Sequence, residues 1–83
     1  MSSRKAACFS YMAGIFYNTG QYDSSKANYQ KAILAYKTFN DSINMVIMQQ
    51  NLAGVYSKMG KRDEAKKLLD KVLDVCLQLK SPG

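Results

Sequence analysis

The chain has no histidine, no tryptophan, a single proline and two cysteines among its 83 residues. Without His, the side chain that most often serves as general base or metal ligand near neutral pH is missing. Neither an enzyme nor a metal centre is expected. Cys8 and Cys76 lie near opposite ends, and neither has a second ligand at the short spacing of a zinc knuckle. One disulfide is arithmetically available, but a secreted scaffold of this size carries about two to four. The expectation is two reduced, mostly buried thiols in a cytoplasmic protein. No apolar run is long enough to span a membrane. Arg4-Lys5 followed by the uncharged stretch from Ala6 to Tyr22 has the order of a signal peptide. Ser10, Asn18, Thr19 and Gln21 interrupt it, however, and no small-residue cleavage site follows. Acidic residues are scarce: six against twelve Lys and Arg, for a net charge of +6. That balance favours acidic partners through steering without setting specificity.

What is present is a globular composition, 47% hydrophobic and 22% charged. It suits one domain, residues 1–83, with a small core. Shifted by forty residues, the sequence overlays itself without a gap. Ala13-Gly14 falls on Ala53-Gly54, Gly20 on Gly60, Asp23 on Asp63, Lys26 on Lys66 and Lys31 on Lys71. The copies run from about 2 to 41 and from about 42 to 81. Each reads as two helices by its apolar spacing. Phe9, Met12, Ala13 and Phe16 mark the first stripe, and Tyr22, Ser25, Tyr29, Ala32, Ile33 and Tyr36 the second. Met45, Met48, Leu52, Val55 and Tyr56 mark the third, and Ala65, Leu68, Leu69, Val72, Cys76 and Leu79 the last. Ser2 or Ser3 caps the start, Gly20 ends the first helix in the left-handed conformation, the third stops near Gly60, and Ser81-Pro82-Gly83 stops the last. No strand pattern competes, so the fold is all-α. The join between copies, residues 39–42, holds neither Gly nor Pro. Asp41 or Ser42 capping a new helix is the favoured reading. The alternative is one continuous helix that separates the hairpins and exchanges between molecules.

Two helices, a glycine at the tight turn and small residues at the helix crossing resemble the tetratricopeptide repeat. The second copy carries the pattern most fully, in Asn51-Leu52-Ala53-Gly54-Val55-Tyr56, Gly60, Ala65, Leu69 and Val72-Leu73. The first supplies Phe9, Met12-Ala13, Phe16, Gly20, Tyr22 and Tyr29-Gln30-Lys31-Ala32-Ile33. Three departures stand out: a period of forty rather than about thirty-four, Ser25 in place of the usual Ala, and no Pro after the second helix. Long repeats with an Asn-Leu-Ala start look most like those of kinesin light chains and Pins-type adaptors. The resemblance implies two tandem helix-turn-helix repeats, four antiparallel helices forming a segment of an α-α superhelix. Such repeats cannot cover their own apolar faces, and three or more are normally needed. Either a longer array, another copy or a partner then covers the open faces.

In this family the first helix of each pair lines a concave groove. That implies Ala7, Ser10, Tyr11, Gly14, Tyr17 and Asn18 from the first copy, with Ile47, Gln50, Asn51, Gly54, Ser57 and Lys58 from the second. Gly14 and Gly54 let a ligand backbone come close, or serve packing between helices. Asn51 matches a position that holds a peptide backbone through donor and acceptor together. Tyr11 takes that place in the first copy, and Lys58 is the only lysine on the face, so no multi-Lys carboxylate clamp is expected. Eight of nine aromatics fall in residues 9–39. Phe9, Phe16, Tyr22 and Tyr29 are assigned to the core, whereas Tyr11, Tyr17, Tyr36 and Phe39 are candidates for an exposed contact patch. Lys58, Lys61, Arg62, Lys66, Lys67 and Lys71 form the densest basic stretch. Without interleaved aromatics it reads as a solvated outer face rather than a site for nucleic acid or an anionic membrane. The implied function is a protein-interaction scaffold or adaptor that takes a helical or extended, acidic segment of a partner, without cofactor. Self-association into a dimer or larger assembly is the alternative.

Overall fold

The computed structural model describes residues 4–80, with side chains as far as Gln78. It holds four helices, α1 (Arg4–Asn18), α2 (Tyr22–Thr38), α3 (Ser42–Lys58) and α4 (Arg62–Lys80), and no strand among the described residues. The two tandem helix-turn-helix units expected from the repeat are therefore present. The expected caps at Ser2 or Ser3 and at residues 81–83, and the core assignment of Leu79, lie outside the described residues.

The three turns are nearly identical. Gly20 and Gly60 adopt φ +79°, and Asn40 takes φ +56° at the matching place. The N–H groups of Gln21, Asp41 and Lys61 donate to the carbonyls of Phe16, Tyr36 and Tyr56 at 2.8, 2.9 and 2.8 Å. One residue earlier, Gly20, Asn40 and Gly60 donate to Tyr17, Lys37 and Ser57 at 3.2, 3.1 and 3.1 Å. This pair of bonds across a left-handed residue satisfies carbonyls that a helix end would otherwise orphan. The left-handed turn thus recurs every twenty residues, half the sequence period, because Asn40 does at the middle turn what glycine does at the others. Asn is the non-glycine residue that best tolerates this conformation.

Asp41 then starts α3. Its carboxylate accepts from the Asn44 N–H at 3.2 Å and from the Asn44 side-chain amide at 2.7 Å. The chain folds back here, and α2 packs along α3 rather than running into it. The alternative of one continuous helix through residues 39–42 is not what the structure adopts.

Each helix packs mainly on the next one in the chain. The trace measures 42 × 34 × 14 Å. The helices form a flat array rather than a ball, and its core lies in the seams between successive helices. Ala6, Ala13, Ala32 and Ser25 are completely buried where α1 and α2 meet. Small residues let these backbones approach. Ser25 stands where the family prefers Ala, and its hydroxyl donates to the Ala13 carbonyl at 2.8 Å. Tyr29, Tyr36, Met48, Leu52 and Val55 continue the core into the α2·α3 seam, and Ala65 and Val72 bury the inner side of α4.

Four burial assignments change, and one is Cys8, expected as a mostly buried thiol and found exposed. Met12 and Leu69, placed on apolar stripes by spacing, are 44% and 48% exposed, because each sits on the edge of its helix turned away from the helix it packs on. Tyr36, expected at a stripe end and as a candidate for an exposed patch, is buried because α3 folds back over it.

Candidate functional site

One broad face of the layer carries an open concavity of about 300 Å³ lined by Gly14, Tyr17, Asn18, Tyr29, Gln50, Asn51 and Gly54. Six of the twelve groove residues expected from sequence are brought together here by α1 and α3. The glycines are informative. No neighbouring atom lies within 4 Å of the point a Cβ would occupy at Gly14 or Gly54. A packing requirement between helices therefore does not account for either residue. Each sits inside a helix, where Gly is less stable than Ala by about 1 kcal/mol, and its effect here is to leave room in the concavity.

The lining carries no charge. It offers three side-chain amides, from Asn18, Gln50 and Asn51, and two phenols, from Tyr17 and Tyr29. Amides present donor and acceptor together, the complement of a peptide backbone. Tyr17 stacks edge-on against Tyr22, with ring centroids 5.8 Å apart and an interplanar angle of 65°. That contact fixes one wall. Burial raises the Tyr29 phenol above its ordinary pKa of 10.0, and the neighbouring Tyr17 adds to the shift. The Tyr29 phenol stays protonated and able to donate at neutral pH.

The sequence pattern assigns Tyr29 to the core, and it is both core and site: its ring is buried while it contributes to the lining. The available signal was its type, since a tyrosine on a core stripe needs an outlet for its hydroxyl. The remaining expected groove residues fall elsewhere. Ser10 donates to the Ala7 carbonyl at 2.9 Å within its own helix. Tyr11 is 72% exposed, and Ala7, Ile47 and Lys58 are also exposed and outside this lining. Ser57 lines an adjoining concavity of about 580 Å³ together with Gln50, Ala53, Gly54, Arg62, Ala65, Lys66 and Leu69. Gln50 and Gly54 therefore form a ridge shared by the two hollows.

The basic stretch is exposed throughout, as expected, but it is divided between two faces. Arg62 and Lys66 border the concavity just described. Lys67 and Lys71 border a smaller one of about 210 Å³ with Leu52, Tyr56, Glu64 and Leu68. At about 3.6 residues per turn these two sets point to opposite faces of α4. Among the patch candidates, Tyr11 and Phe39 are exposed and Tyr17 is half-buried. No group of three or more metal-ligating side chains occurs among the described residues. No helix among them is long and apolar enough to cross a membrane.

No characterised protein and no solved structure matches the chain. The family model of the tetratricopeptide repeat matches residues 5–78, nearly the whole sequence. Together with four helices in tandem hairpins, that match places the chain in the tetratricopeptide repeat family.

Proposed function

We propose that this protein is a non-catalytic adaptor whose two repeats, residues 2–41 and 42–81, hold an extended or helical segment of a protein partner in the groove between α1 and α3. Family membership points to a protein-interaction module. The observation that carries the finer reading is the concavity itself, with two glycines that no packing contact requires, set among Asn18, Gln50 and Asn51. Asn51 leads the binding set, followed by Gln50 and Tyr17. An extended segment suits the amide lining better than a helix, whose backbone groups are already paired. Arg62 and Lys66, beside the shared Gln50–Gly54 ridge, favour acidic residues in the partner. The unpaired cysteines suit a reducing, cytoplasmic setting.

The test is a peptide-display selection on the purified chain, with the recovered peptides titrated by fluorescence anisotropy. Peptides rich in Asp and Glu are expected. Asn51→Ala should weaken them about tenfold, the loss of roughly 1.4 kcal/mol typical of a paired amide, while circular dichroism stays unchanged. Peptides that bind Asn51→Ala and Gly54→Leu as tightly as the parent chain would overturn the groove assignment.

A further inference from the structure

The forty-residue repeat allows each open face at the ends of the layer to be compared with its counterpart inside it. On α1, Cys8, Met12 and Ile15 correspond to Met48, Leu52 and Val55 of α3. The α3 residues are almost fully buried against α2, whereas Met12 and Ile15 are more than two-fifths exposed. On α4, Leu69, Leu73 and Cys76 correspond to Tyr29, Ile33 and Tyr36 of α2, which belong to or pack against the same core. Leu73 is 58% exposed. The chain thus carries at its two ends the two halves of its own α2·α3 seam, each apolar and each without a neighbour among the described residues.

The adjoining concavity shows the same relation. Gly54, Ser57 and Leu69 correspond to Gly14, Tyr17 and Tyr29 of the first concavity. Its missing wall is the counterpart of Gln50, Asn51 and Gly54. In this sequence those residues recur only at Ser10, Tyr11 and Gly14, on the open side of α1.

We infer that copies of this chain stack head to tail, α4 of one on α1 of the next, continuing the repeat seam between molecules. Ser10, Tyr11 and Gly14 of the next copy then close the second concavity. The contact is heterologous, so it propagates rather than stopping at a symmetric dimer. It also gives Tyr11, stranded in solvent in the single chain, a place in a groove. The groove between α1 and α3 is complete within one chain, so the two proposals fail independently.

Light scattering after size exclusion, on the full chain over a wide concentration range, tests this. The mass should climb beyond twice 9.3 kDa as concentration rises. Leu73→Glu, which blocks the α4 face, and Met12→Glu, which blocks the α1 face, should each be monomeric with unchanged helix content, since both positions are exposed. Mixed, they should pair into a heterodimer that grows no further, because each retains one good face. A parent chain that stays monomeric at every concentration would overturn the proposal. So would association that survives either substitution, or a mixture that does not pair.

Discussion

The Ser25 hydroxyl donates to the Ala13 carbonyl across twelve residues of sequence, 2.8 Å away and out of contact with solvent. Among the described residues it is the one polar side chain buried in the seam between α1 and α2, at the position where the family prefers alanine. Ser25→Ala removes a hydrogen bond worth about 1 kcal/mol and regains a few tenths of helix propensity. Urea unfolding should show a net loss of about 0.5 kcal/mol. Ser25→Val inserts bulk at the closest approach of the two helices and should cost about 1–3 kcal/mol.

The glycines divide into two kinds. Gly14→Ala and Gly54→Ala should each raise stability by about 0.5–1 kcal/mol, because nothing obstructs the new methyl group and Ala is the better helix former. Peptide affinity should fall in the same variants. Gly20→Ala and Gly60→Ala meet no atoms either, yet both sit at φ +79°. They should lose about 1–2 kcal/mol by forcing a side chain into the left-handed region. Thermal melts of the four variants separate a groove role from a turn role.

At the middle turn, Asp41→Ala removes the cap on the Asn44 N–H and should cost about 1 kcal/mol. Asn40→Gly should be neutral or slightly stabilising, and Asn40→Val destabilising by about 1–2 kcal/mol, since φ is +56° there. Chemical denaturation of the three variants checks the order.

Most of the architecture was legible, and where it was not the cause is local. Gly20 and Gly60 announced their turns by residue type. Asn40 did not, because asparagine serves as readily in a helix start or a loop, and the twenty-residue spacing of the turns emerged only from their backbone angles. Met12 and Leu69 satisfied the helical spacing of a core stripe. Spacing alone could not tell that they stand on the outer edges of α1 and α4, where no helix among the described residues covers them. In the groove, Gly14, Tyr17, Asn18, Gln50, Asn51 and Gly54 followed from the repeat resemblance. Tyr29 was missed because a ring can be buried in a seam and still border a surface hollow.

Tyr29 predicts an alkaline limb in stability. Its pKa is raised by burial first and by Tyr17 second, so the folded chain keeps the phenol proton where the unfolded chain releases it. The stabilisation is fully present below pH 10.0, the unfolded value, and is lost as pH rises from there through the higher folded value. Tyr29→Phe should match the parent near neutral pH and lack this part of the decline above pH 10.0. Urea midpoints measured across the alkaline range decide it.

Because each helix leans chiefly on its sequence neighbours, α2 and α3 are held from two sides and α1 and α4 from one. Such a chain behaves as a line of coupled links, with stability summed along it rather than pooled in a central core. It comes apart from the outside in. Amide protons of α1 and α4 should exchange before those of α2 and α3, and whatever clasps an end helix should slow the undoing of the whole row.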